Sequence, residues 1–131
     1  MRFSVGTFHV FAVCLLVLTG CGRAAPIYNV ESSPLNAPET ATMAQIEQAI
    51  VKAGTGLGWE IKPDGPGHAT GTLKLRTHVA IVDISYDTKS FSIKYKDSVN
   101  LNYSNGWIHP NYSSWVHNLE KAIREEATQI K

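Results

Sequence analysis

From Trp59 to Tyr103, apolar and polar residues alternate with a period of two. A chain with that pattern builds strands whose side chains fall on one dry and one wet sheet face. Trp59 and Ile61 alternate with Glu60 and Lys62. Ala69, Gly71, Leu73 and Leu75 alternate with Thr70, Thr72, Lys74 and Arg76. Ala80, Val82, Ile84 and Tyr86 alternate with Asp83 and Ser85, and Phe91, Ile93 and Tyr95 with Ser92, Lys94 and Lys96. Val99, Leu101 and Tyr103 keep the same parity, so the last strand is expected to run past Asp97. Pro63 to Gly67, Asp87-Thr88-Lys89 and Ser104-Asn105-Gly106 read as the turns between and after these strands.

Two helical patterns flank the strands and supply a cover for the dry face. Thr42-Met43-Ala44-Gln45 fits a capping box, and Met43, Ile46, Ala49, Ile50 and Ala53 recur at helical spacing. Gly54, Gly56 and Gly58 stop that helix, placing it at residues 42–54. Pro110 suits the first position of a second helix, whose apolar stripe is Tyr112, Trp115, Val116, Leu119 and Ile123. Glu120 and Arg124 add a weak i,i+4 pair, and the polar tail from Glu125 is expected to fray. The expected fold is α+β: a two-layer sandwich in which an antiparallel sheet of three to four strands is flanked by an N-terminal and a C-terminal helix. The uncovered face, with Thr70, Thr72, Lys74, Arg76, Asp83, Ser85, Ser92, Lys94 and Lys96, is expected to be solvated or to meet a partner.

The N-terminus carries a different signal. Arg2 precedes an apolar run from Val10 to Leu18, too short to remain as a membrane-spanning helix, followed by Gly20. Leu18-Thr19-Gly20-Cys21 resembles the lipobox of bacterial lipoproteins at all four positions. That resemblance implies cleavage before Cys21 and acylation of its thiol and new amine. Several acyl chains would hold the protein in a leaflet, since each buried methylene adds about 0.8 kcal/mol. Gly22 stands where Asp usually marks inner-membrane retention, which points to the periplasmic face of the outer membrane. The domain plan is then a signal peptide at 1–20, a lipidated Cys and extended tether at 21–41, and one α+β domain at 42–131. Within the tether, Pro and Ala favour extended chain, and Ile27, Tyr28 and Val30 form a small apolar island.

Composition narrows the partner classes. Of 12 Lys and Arg, Arg2 alone precedes Cys21, and all 11 Asp and Glu follow it. The exported part is therefore balanced, which argues against nucleic acid and against a polybasic membrane patch. Of the 2 cysteines, Cys14 lies in the signal and Cys21 carries lipid, so the domain must be held by its core alone.

From about Thr42 to Ile123 the chain resembles a group of small, largely uncharacterised proteobacterial lipoproteins. The residues carrying this are Gly58-Trp59, Arg76-Thr77-His78-Val79-Ala80, the run Ile93 to Leu101, and the run Ile108 to Trp115. Where the family pattern reads Tyr-Asn-x-Trp, this chain has Tyr112-Ser113-Ser114-Trp115, so no amide role is carried over. The resemblance implies the anchor and the domain boundaries, and supplies no reaction, cofactor or ligand.

Chemical signatures are sparse. His109 and His117 are eight residues apart, but no Cys or close carboxylate joins them, so no metal is expected. Ser98, His78 and Asp97 provide nucleophile, base and acid types without a nucleophile elbow or a Ser-x-x-Lys motif, so no catalytic residue is assigned and no enzyme is expected. The polar cluster that stands out is Arg76, His78, Ser98, Asn100, Trp107, His109, Tyr112 and Trp115, with Asp97 beside it. It reads as candidate binding residues if the strand ends and the start of the second helix converge, and as ordinary core and loop residues if they do not. Two function classes follow. One is a non-enzymatic protein-interaction module of the cell envelope that uses the open sheet face or edge. The alternative is a small-ligand or glycan-binding periplasmic domain that uses the loop cluster.

Overall fold

The computed structural model describes residues 23–131. The expected signal peptide at 1–20 and the expected lipidation site Cys21 lie outside the described residues. Four strands form a continuous antiparallel meander: β3 (Trp59–Gly65), β4 (His68–Leu75), β5 (His78–Tyr86) and β6 (Ser90–Val99). Each link is local. Asp87 Oδ1 accepts from the backbone N–H of Lys89 and Ser90, at 2.7 and 2.8 Å, and folds the β5–β6 turn. Those donors hold the Asp87 carboxyl below its ordinary range.

The segment expected to be an extended tether is instead built into the fold. Ala25–Pro26 forms β1 and Val30–Pro34 forms β2. β2 pairs antiparallel with β6 and extends the sheet to five strands, in the order β2-β6-β5-β4-β3. β1 pairs with β7 (Trp107–Ile108) in a separate two-stranded ribbon. The strand count therefore exceeds the expected three to four, while the helix–sheet–helix order holds. The physical reason lies in side chains that a Pro- and Ala-rich composition hides. Val30 and Leu35 are buried, Leu35 completely, and Ile27 and Tyr28 pack against the same core. β2 also covers an edge that β6 would otherwise leave bare. A bulge between Val30 and Ser33 and a terminal Pro34 then keep the new edge short and irregular.

Helix α1 (Met43–Gly56) begins at the predicted capping box, with Thr42 as N-cap and Gln45 completing it. It runs two residues past the expected stop. Gly54 sits inside it because β3 comes close: a Cβ there would lie 2.3 Å from Ile61 Cγ1. Helix α2 (Asn111–Thr128) starts one residue after the expected Pro110, which is its N-cap. It does not fray from Glu125, because Ala127 is fully buried and Ile130 packs on the core beyond it. The buried residues of both helices and the alternate residues Ala69, Leu73, Ala80, Val82, Ile84, Phe91 and Ile93 form one core on one side of the sheet.

The sheet parity breaks once. Between Ile81↔Asp97 and Val82↔Tyr95 the register shifts, leaving Lys96 as an extra residue in β6. Downstream of that bulge every side chain changes face. Ser98 now pairs with the buried Ala80, and Val99 pairs with Val79 on the open face, where it is 56% exposed. The expectation that Val99 points inward and Ser98 outward is thereby reversed. Asn100, with φ 57°, then turns the chain back so that Leu101 is buried. Tyr103 is half exposed rather than core, and Leu75 lies exposed beyond the helical cover.

Leu35→Ala separates a solvated tether from a built-in strand. We expect a loss of about 2–5 kcal/mol, read as a lower urea midpoint at unchanged slope. A solvated tether predicts no change.

Candidate functional site

The loop cluster converges only in part. His78 opens β5, Ser98 and Asn100 lie at the end of β6, and His109 leads into α2. The His78 and His109 rings lie side by side, with centroids 6.1 Å apart. Backbone partners fix what each ring offers. The Asn100 carbonyl can only accept, so His78 Nδ1, at 2.7 Å, carries the proton and its Nε2 is left as an acceptor. His109 Nδ1 accepts from the Asn111 N–H at 3.2 Å, so its proton sits on Nε2. Asn100 Nδ2 donates to Thr77 Oγ1 at 2.8 Å, which braces the β4–β5 turn against the end of β6.

Ser98 is not beside His78 as a nucleophile beside a base. Its hydroxyl shares a 2.9 Å hydrogen bond with the Tyr95 hydroxyl, and its N–H donates to Asp97 Oδ1. Tyr95 stacks on Tyr103 at 4.6 Å and meets Tyr112 edge-on at 5.7 Å. Tyr112 is fully buried, and its hydroxyl has no hydrogen-bond partner. Burial raises its pKa, so it is a neutral core residue and not a contact for solutes.

The other three members lie elsewhere. Arg76 occupies the exposed β4–β5 turn at φ 55°. Trp115 lines a cleft of about 70 Å³ with Leu57, Trp59, Leu73, Leu75 and Asn118. Trp107 sits on the β1–β7 ribbon, in register with Pro26. It follows a two-residue turn in which Asn105 and Gly106 have φ of 48° and 81°. Two successive positive φ values define the type I′ hairpin turn, and Asn-Gly is the pair that tolerates them best.

The open face is a ladder of paired charges. Asp64 accepts from Thr70 Oγ1 at 2.8 Å and contacts His68 Nδ1. The His68 contact, then Thr70, draws the Asp64 carboxyl below its ordinary range. His68 Nε2 and Lys96 Nζ both lie 3.3 Å from Asp83, and Lys94 lies 3.5 Å from Glu31. Among the described residues, no group of three or more His, Cys, Asp and Glu side chains converges as metal ligands do.

Of a second polar cluster, sequence reasoning found only the Glu120–Arg124 pair. Glu120 on α2 is nearly buried. Its Oε2 accepts from the Tyr28 hydroxyl at 2.7 Å, and its Oε1 accepts from Ser33 Oγ at 3.0 Å and Arg124 Nη1 at 3.2 Å. Tyr28 also stacks on His117 with centroids 3.7 Å apart. A signal was present: Glu120 continues the Tyr112–Val116 spacing on the core face, where an acid needs a partner. Its partners lay some ninety residues away in a segment composed like a linker. All of the carboxylate's neighbours are donors that belong to the fold, so the cluster is a clasp between β2 and α2.

No family model matches this chain, and no curated protein or solved structure matches it. Among the described residues, no helix is long and apolar enough to cross a membrane.

The clasp makes two predictions. Glu120→Ala leaves two hydroxyls and a guanidinium without their acceptor. It should cost about 1.5–3 kcal/mol, the half-exposed Arg124 being free to rehydrate, and calorimetry or urea unfolding reads this directly. The Tyr28 phenol is held above its ordinary pKa, first by donating to Glu120 and then by burial. A group raised in the folded state gives stability that is complete below its unfolded pKa, about 10. That stability is lost as pH rises through the folded value. Tyr28→Phe should therefore flatten part of the fall in urea midpoint above about pH 10; a slope identical to wild type refutes the clasp's role.

Proposed function

We propose that this chain is a membrane-anchored periplasmic lipoprotein, acylated at Cys21 and held on the periplasmic face of the bacterial outer membrane. Its domain is a non-enzymatic protein-interaction module of the cell envelope. In this reading the domain is a two-layer α+β sandwich whose free layer face meets the partner. The lipobox resemblance at Leu18-Thr19-Gly20-Cys21 supports the anchor, and Gly22 supports the outer-membrane address.

The observation that carries the interaction reading is the uncovered face of the five-stranded sheet. Both helices pack on the other side, so this face stands free. Most of its charges are matched in pairs: Glu31 with Lys94, Asp83 with His68 and Lys96, Glu60 with Lys62. Between them and the strand ends runs a short apolar strip of Val79, Ile81 and Val99. A largely neutralised surface with an apolar strip suits a protein partner and offers no basic field for a polyanion. A tether raises the effective concentration of such a module at its membrane without adding contacts.

One observation favours a second reading, a small-ligand or glycan site. His78 and His109 present one Nε2 acceptor and one Nε2 donor side by side, near the amide of Asn100. Tyr112 is buried and Trp115 lines a different cleft, and among the described residues no Trp or Tyr ring packs on either imidazole. The spot lacks the formed stacking platform a sugar uses, so we place it second.

Cys21→Ser should abolish acyl incorporation and move the protein from the membrane to the soluble fraction. Photoreactive residues at Ile81 and Lys94 should give one dominant protein adduct in intact cells, and Lys94→Glu or Arg76→Glu should abolish it while Asn100→Ala leaves it. Loss of binding with Asn100→Ala alone transfers the function to the loop cluster.

A further inference from the structure

Only three residues separate Cys21 from β1, so the folded domain starts almost at the anchor. Fully extended, the chain from Cys21 to Pro26 spans at most about 17 Å. One strand spacing of about 5 Å separates Pro26 from its partner Trp107. Trp107 is therefore confined close to the lipidated residue. It is 52% exposed, whereas Tyr103, next to its bridge partner Ser104, turns to the other side and stacks on Tyr95. Paired residues of a ribbon point the same way, so Trp107 shares its outward side with Pro26 and with Ser104, its bridge partner.

The charge pattern at this end differs from the rest of the surface. From Ser98 to Leu119 the chain has no Asp, Glu, Lys or Arg, and from Cys21 to Val30 it has Arg23 alone. The ribbon and hairpin thus bring together Trp, Asn, Ser, Pro and one cation, with no carboxylate to be repelled or dehydrated at an anionic surface. Trp favours the layer between headgroups and acyl chains, where an apolar ring and a polar edge are both satisfied. A cation gains there from anionic lipid.

We propose that the β1–β7 ribbon is a second membrane contact: Trp107 enters the headgroup layer of a phospholipid surface beside the Cys21 lipid, with Arg23 of the same N-terminal segment near it. Two contacts at different points of the fold orient the domain, where a single lipid would leave it free to tumble. The inference rests on acylation of Cys21.

The full lipidated chain and its Trp107→Phe variant are purified, and the mass of the N-terminal peptide is read first. Both are placed in vesicles of phosphatidylethanolamine and phosphatidylglycerol, with and without brominated acyl chains. The expected result is loss of the Trp107 share of the emission in brominated vesicles, and no such loss in the variant, whose remaining Trp59 and Trp115 are buried or partly buried. Acylated Cys21 without Trp107-dependent quenching overturns the membrane contact and leaves the lipoprotein reading standing. Absence of acyl mass on Cys21 overturns both. A photoreactive residue at position 107 that captures a protein and no lipid in cells also overturns the contact, and assigns the ribbon to a protein partner.

Discussion

A carboxylate on the inner side of a helix has to find donors or it expels the helix from the core. Glu120 stands between the fully buried Val116 and Ile123 on α2, and much of the architecture follows from how it is satisfied. Arg124, one turn on, supplies one donor from the same helix. The other two, Tyr28 and Ser33, come from the N-terminal segment. Satisfying Glu120 therefore draws residues 28–33 across α2 and along β6. Once there, Val30 and Leu35 bury their side chains, the backbone gains a ladder, and the sheet loses a bare edge. The polar clasp sets the position, and apolar burial supplies most of the energy.

The clasp also sets the position of what lies upstream. With residues 28–33 fixed, Ala25 and Pro26 have little choice but to meet Ile108 and Trp107. The start of the fold is then beside the start of α2, where the segments from Cys21 to Val30 and from Ser98 to Leu119 carry Arg23 as their one charged side chain. An anchor at Cys21 would hold that end toward the membrane. The paired charges of Asp64, Asp83, Lys94 and Lys96 lie on a different surface. The two surfaces thus have separate physical characters, one nearly free of charge and one a ladder of ion pairs.

Periodicity carried the reading of the meander and both helices, because each of those elements states its own pattern within about ten residues. Thr42 with Gln45, and Asn105 with Gly106, were legible for the same reason: cap and turn chemistry is local. What was illegible depends on distant residues. β2 has five residues, two of them prolonging a bulge, and its alternation is too short to register. Its strand character comes from β6 and α2. The inversion at Ser98 and Val99 was hidden because a bulge is one extra residue, and the sequence around Lys96 reads as unbroken alternation. Of the site, His78, Asn100 and His109 were brought together as expected. Trp115 was not, since proximity in sequence to His109 says nothing about which side of a helix a ring takes.

The inverted parity at the end of β6 bears on how the two surfaces relate. Had β6 kept its register, Val99 would point into the core and Ser98 into solvent. The bulge instead turns Ser98 inward to the Tyr95 hydroxyl, and Tyr95 in turn supports Tyr103 by stacking. It also places Val99 on the open face beside Val79. A single extra residue thus props up the aromatic hairpin at one end and completes the apolar strip on the free face. Bulges persist where they re-aim side chains, and here one bulge re-aims them on both surfaces. Deleting Lys96 would make Tyr95 and Asp97 consecutive opposite Val82 and Ile81, so a regular ladder would keep Ser98 inward beside Ala80 and Val99 outward beside Val79: the extra residue sets these faces only because the residues after it are already in their shifted register.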